Sequence, residues 1–191
     1  MADFSKFDKQ IDLDQIRKDA EEIKKNGGTG DYPDVPAGIY QAKLESMELG
    51  ETGPNSKGGA GRPMLKAMFR IVQASNPDDL DGNEAVEKFL KKHKGNNEAI
   101  DFLDGRKGKM PRLFMNRVLF GTKNDANMIA SAEGWLESLE PSEDVGPVIF
   151  NGYGDFAELI LDIAEDVSEL EYAVIYDPDA FNSITILEVY E

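Results

Sequence analysis

Apolar and polar positions alternate along some stretches of this chain and recur at helical spacing along others. The clearest alternation is Arg62–Val72, RPMLKAMFRIV. Leu65, Ala67, Phe69 and Ile71 point one way, and Met64, Lys66, Met68 and Arg70 the other. The first set is a buried strand face. The second mixes cations with soft apolar groups, and two readings fit it. It is either the solvated face of an edge strand or a surface that meets a phosphate backbone and unstacked bases. The loop before it, Gly50–Gly61, is rich in glycine and small polar residues and predicts a mobile hairpin tip.

The other strands follow the same rule. In Gly38–Glu48, GIYQAKLESME, Ile39, Gln41, Lys43 and Glu45 alternate with Tyr40, Ala42, Leu44 and Ser46. Leu113–Phe120 predicts a third strand, and Glu171–Tyr176 and Ser183–Tyr190 a closing hairpin around the turn-rich DPDAFN.

Helical spacing marks Asp12–Lys25, where Asp12 can cap with Gln15 three residues on and Leu13, Ile16, Ala20 and Ile23 make a narrow apolar stripe. It also marks Asp125–Leu139, with Met128, Ala132, Trp135, Leu136 and Leu139, and Asp155–Val167, with Phe156, Leu159, Ile160, Ile163 and Val167. Trp135 reads as core. Residues 1–10 read as a loose arm and 26–34 as a linker. Residues 74–111 read as a projecting insertion, with a short helix at Glu84–Lys94 and another turn at Asn97–Leu103.

These elements predict an α+β chain, mainly β. Residues 1–34 form an arm and helix, and 35–191 one domain carrying the insertion 74–111. Five strands with helices between the third and fourth are the wiring of an OB-fold-like five-stranded barrel, whose strand faces and loops bind oligonucleotides.

Composition narrows the class. There is no cysteine, which suits a reducing cytoplasm. No run of about 18 apolar residues exists for a membrane helix, and MADFSKFDKQ is too polar for a signal peptide.

The net charge of −16 argues at first against nucleic acid, but its distribution reverses the picture. Residues 1–56 carry −5, residues 57–123 carry +6, and residues 124–191 carry −17 with no Lys or Arg at all. A local basic patch still acts on phosphates, because the Debye length is only about 8 Å in physiological salt. The electrostatic candidates are Lys57, Arg62, Lys66, Arg70, Lys91, Lys92, Arg106, Lys107, Lys109, Arg112 and Arg117. Met68 and Phe114 are stacking candidates if their faces are open, and core residues if not.

Catalytic patterns are lacking. GETGPNSK, Gly50–Lys57, resembles a phosphate loop only superficially, since Lys57 is followed by glycine and no helix pattern comes next. One histidine and no cysteine make a zinc site improbable, and Glu22–Lys24 sits on a helix with no acidic strand before it. No enzyme activity, cofactor or metal is expected.

Several segments together resemble a family of phage-encoded proteins, formerly a domain of unknown function, regarded as single-stranded-DNA-binding. They are Asp31–Leu44, Leu49–Gly50, Pro63–Ile71, Leu113–Val118, Tyr153–Glu165 and the closing hairpin EYAVIYDPDAFNSITILEVYE. Residues 74–111 depart from it, where a much shorter link is expected. The resemblance implies an OB-like core and a place in phage DNA replication or recombination, in a bacterial host cytoplasm. The partner expected is single-stranded DNA, with the acidic last third as a possible contact for replication or recombination proteins. A homo-oligomer stays open. The rival reading is an acidic adaptor or mimic of duplex DNA that occupies a basic protein.

Overall fold

The computed structural model describes residues 12–25, 34–106, 108 and 110–190, with side chains in the first segment only to Glu21. The expected arm, and the linker up to residue 33, lie outside the described residues. The chain divides into two compact units, Met1–Asp34 and Val35–Glu191. In the first, α1 spans Leu13–Lys25. Asp12 caps it, its Oδ1 accepting from the Gln15 N–H at 3.0 Å.

In the second unit, β1 (Gly38–Glu51), β2 (Pro63–Ala74), β3 (Arg112–Val118), β4 (Glu171–Tyr176) and β5 (Ile184–Tyr190) form one antiparallel sheet in the order β3-β2-β1-β4-β5. On its inner face lie Tyr40, Ala42, Leu44, Leu65, Phe69, Ile71, Leu113, Met115, Tyr172 and Val174, all buried. Helices α4 (Asp125–Glu137) and α5 (Tyr153–Asp166) supply Trp135, Leu136, Phe156, Ile160 and Ile163 to the same core. Each large side chain so buried contributes roughly 1.5–3 kcal/mol. Phe69 meets Trp135 and Tyr172 edge-on, with centroids 6.2 Å apart in both pairs. The polar ends of both rings are satisfied: Trp135 Nε1–H donates to the Ile184 carbonyl at 2.9 Å, and Tyr172 O–H to that of Leu139 at 2.7 Å.

The expectation was an OB-fold-like, partly open barrel; the five strands form one antiparallel sheet that is not closed into a barrel. Its edges, β3 and β5, meet through Ser183, whose hydroxyl donates to the Phe114 carbonyl at 2.9 Å. That hydroxyl takes an acceptor a paired strand would use, and no backbone ladder joins β3 to β5 among the described residues.

A bulge alters the alternation of β1. Leu44 faces Phe69 on β2 and Ser46 faces Met68, which leaves Glu45 as the extra residue. Beyond it the faces exchange, so Met47 is buried and Ser46, which shares the sequence parity of Tyr40, Ala42 and Leu44, is exposed.

The insertion does not project as a whole. A 3-10 turn at Pro77–Leu80 and α2 (Glu84–His93) bury Leu80, Val86 and Phe89 against Ile39, Ala173 and Ile175 on the outer face of β1 and β4. Helix α3 (Asn97–Asp104) adds Ala99 to the main core. Leu80, Val86 and Phe89 are apolar partners for the outer side of β1 and β4, which would otherwise leave isoleucines in water.

Candidate nucleic-acid interface

The insertion covers only the β1–β4 part of the outer face. The β2–β3 part stays open, and antiparallel register sorts its residues into rows. Arg70 faces Arg112, Met68 faces Phe114, Lys66 faces Asn116, and Met64 faces Val118. Successive rows are about 7 Å apart at strand rise. Phe114 is 55% exposed, so it is not core, and Met68 beside it is half-buried. Lys66 lies back over Gly50, where a Cβ would stand only 2.8 Å from the lysine Cε. Among the described residues it has no ion-pair partner.

The arginine row is already engaged. β1 brings Lys43 opposite Arg70, so three cations stand side by side. Lys43 pairs with Glu169 at 2.9 Å. Glu45 takes both arginines: Arg112 donates from Nε to Oε2 at 2.5 Å and from Nη2 to Oε1 at 2.9 Å, and Arg70 donates from Nη2 to that Oε1. The Arg112 hydrogen bond, helped by Arg70, pulls the Glu45 carboxyl down to about 2, and the same pair raises Arg112.

The remaining candidates lie apart from this face. Lys57 is exposed in the β1–β2 loop. That loop is held at its base by Thr52, whose hydroxyl donates to Gly59 O at 2.8 Å and accepts from Arg62 N–H at 3.0 Å. Arg62 bridges the loop to the segment after β3, through Ser56 Oγ and Gly121 O at 3.3 Å each. Lys91 is exposed on α2. Lys92 is tied to Asp177 at 2.6 Å, a bond that lowers the Asp177 carboxyl. Arg106 sits over the Phe102 ring at 4.9 Å. Lys107 and Lys109 lie outside the described residues.

Arg117 is on the other face. It is 3% exposed, on the side of Leu113 and Met115, and is not brought together with the open face. Its Nη1 donates to Ser131 Oγ at 2.8 Å, Phe181 covers it at 5.0 Å, and among the described residues Nε and Nη2 find no acceptor. Burial lowers its pKa. The alternation of LFMNRV carried that signal, since Arg117 shares the parity of Leu113 and Met115.

Sequence reasoning missed Glu45, whose reach depends on the bulge. It also passed over two exposed aromatics: Phe120, which meets Tyr153 edge-on at 6.0 Å, and Phe181, 70% exposed in the β4–β5 turn. Among the described residues no helix is long and apolar enough to cross a membrane. No family model matches the chain, and no curated protein or solved structure does either.

Proposed function

We propose that this protein binds single-stranded DNA without catalysing a reaction, on the open β2–β3 face of an OB-like barrel. One observation carries the reading. The insertion buries the apolar half of the outer face and leaves uncovered the half on which Met68 and Phe114 stand between Lys66 and the two arginines. An exposed ring among cations suits a base stacked next to its phosphate, at roughly 1–3 kcal/mol per base. The OB-like reading draws on the strand order, on the approach of β3 to β5 at Ser183, and on helices between β3 and β4. A role in phage replication or recombination rests on the resemblance of the quoted segments.

The test is titration of labelled single- and double-stranded oligonucleotides at two salt concentrations. Tighter binding of the single strand, weakening with salt, is expected. No binding of single strands at low salt would overturn the reading.

A second reading rests on α5. Asp155, Glu158, Asp162 and Glu165 recur at helical spacing along its exposed side, with Leu161 exposed beside them. Such a stripe suits a basic protein partner. Capture of that partner without any DNA affinity would favour the acidic adaptor.

A further inference from the structure

Resting on the single-stranded-DNA reading, we infer that the Arg70–Arg112 fork is a phosphodiester position and that the Glu45 carboxylate is the internal group a DNA phosphate displaces from it.

Two guanidinium groups face each other across β2 and β3, and like charges directly opposite on a sheet repel. The pair therefore calls for an anion between them. Glu45 provides one, with two donors from Arg112 and one from Arg70. Planar, forked donors suit carboxylate and phosphate alike.

The carboxylate is there because of the bulge. Glu45 is the residue the bulge leaves without a partner on β2, and from there its carboxylate reaches Arg70 and Arg112 together. It is also within reach of water, with 24% of its side chain exposed, so exchange for another anion requires no opening of the core. The fork stands one row from the Met68–Phe114 pair, about 7 Å at strand rise. A phosphate in the fork therefore has an exposed ring waiting for a base. Glu45 on this account sets the affinity of the site: DNA must compete with a tethered carboxylate for the same donors.

The test compares wild type with Glu45→Gln, which keeps the shape and removes the charge, using a labelled oligo-dT at two salt concentrations. Circular dichroism monitors folding. The variant is expected to bind about tenfold tighter at low salt, the value of one charge-assisted contact. Its salt slope should steepen by about 0.7, one phosphate more. In a Glu45→Gln/Arg112→Gln double variant the gain should vanish. Should Glu45→Gln fold poorly, the wild type supplies the measurement: the Arg112 Nε–H resonance must move when oligo-dT is added. Unchanged or weaker binding by a folded Glu45→Gln, or a stationary Arg112 resonance while the wild type binds, overturns the inference and leaves the DNA reading standing. Absence of binding by both proteins removes both.

Discussion

Asn96 and Ile39 are joined by two hydrogen bonds that tie the insertion to the sheet. The Ile39 N–H donates to Asn96 Oδ1 at 2.8 Å, and Asn96 Nδ2 donates back to the Ile39 carbonyl at 3.0 Å. The same Nδ2 reaches the Ser75 carbonyl at 3.1 Å. One buried amide thus satisfies the start of β1 and the end of β2 together. Asn96→Ala leaves a buried N–H unpaired and should cost about 1–3 kcal/mol. Urea denaturation measures it, and a loss below about 0.5 kcal/mol would show that water or a shifted backbone replaces the amide.

That docking was not legible in the sequence, although the need for it was. Ile39 and Ile175 are apolar on the side of their strands opposite the main core, which a strand with one wet face would not show. Val86, Phe89 and Leu90 share the side of α2 that covers them. Matching the two requires the sheet order, which periodicity does not contain. Local rules carried further where they were self-sufficient: Asp12 caps α1, and Trp135 sits in the core on the side of Leu136. They broke at Glu45, because one inserted residue reverses a period-two pattern and nothing in LES marks the bulge.

The pH dependence of stability should show the Glu45 fork. Its folded-state value of about 2 lies below the ordinary 4.5, so the folded protein favours the charged form more than the unfolded chain does. That stabilisation is complete above about pH 4.5 and is lost as pH falls through about 2. Glu45→Gln should therefore be less stable than wild type at neutral pH, with the two urea midpoints converging as the pH is lowered through this window. Other carboxylates with lowered values, Glu84, Asp125, Asp166 and Asp177, are common to both proteins and cancel in the comparison. Parallel curves would mean that solvent screening leaves the pair no net value.

Arg117 makes the opposite case. It is a buried guanidinium with two nitrogens lacking an acceptor among the described residues and a ring in place of a carboxylate. Burying a charge without a full set of partners is expensive. Arg117→Met, which keeps the apolar stem and drops the charge, should leave stability within about 1 kcal/mol of wild type or raise it. Its affinity for single strands should not change, since Arg117 faces away from the open surface. A binding defect in the folded variant would put Arg117 in the site and redraw its boundary.

Phe114 and Lys66 should fail in different ways. Phe114 offers a π-face with no charge, and Lys66 offers a charge with no π-face. Phe114→Ala should weaken binding of every single-stranded oligonucleotide by about 1–3 kcal/mol, because any base can stack on a ring. Its salt slope should stay that of wild type, since no counterion release is lost. Lys66→Glu should flatten the slope by about 0.7 for the one phosphate contact removed, and its defect should shrink as salt rises. Lysine is the better choice than Arg70 here, because a carboxylate at Arg70 would stand against Glu45 and disturb the fork itself. Circular dichroism should be unchanged in both variants, as surface substitutions seldom move stability by more than about 0.5 kcal/mol. A salt slope altered by Phe114→Ala, or untouched by Lys66→Glu, would break the assignment of base to ring and phosphate to lysine.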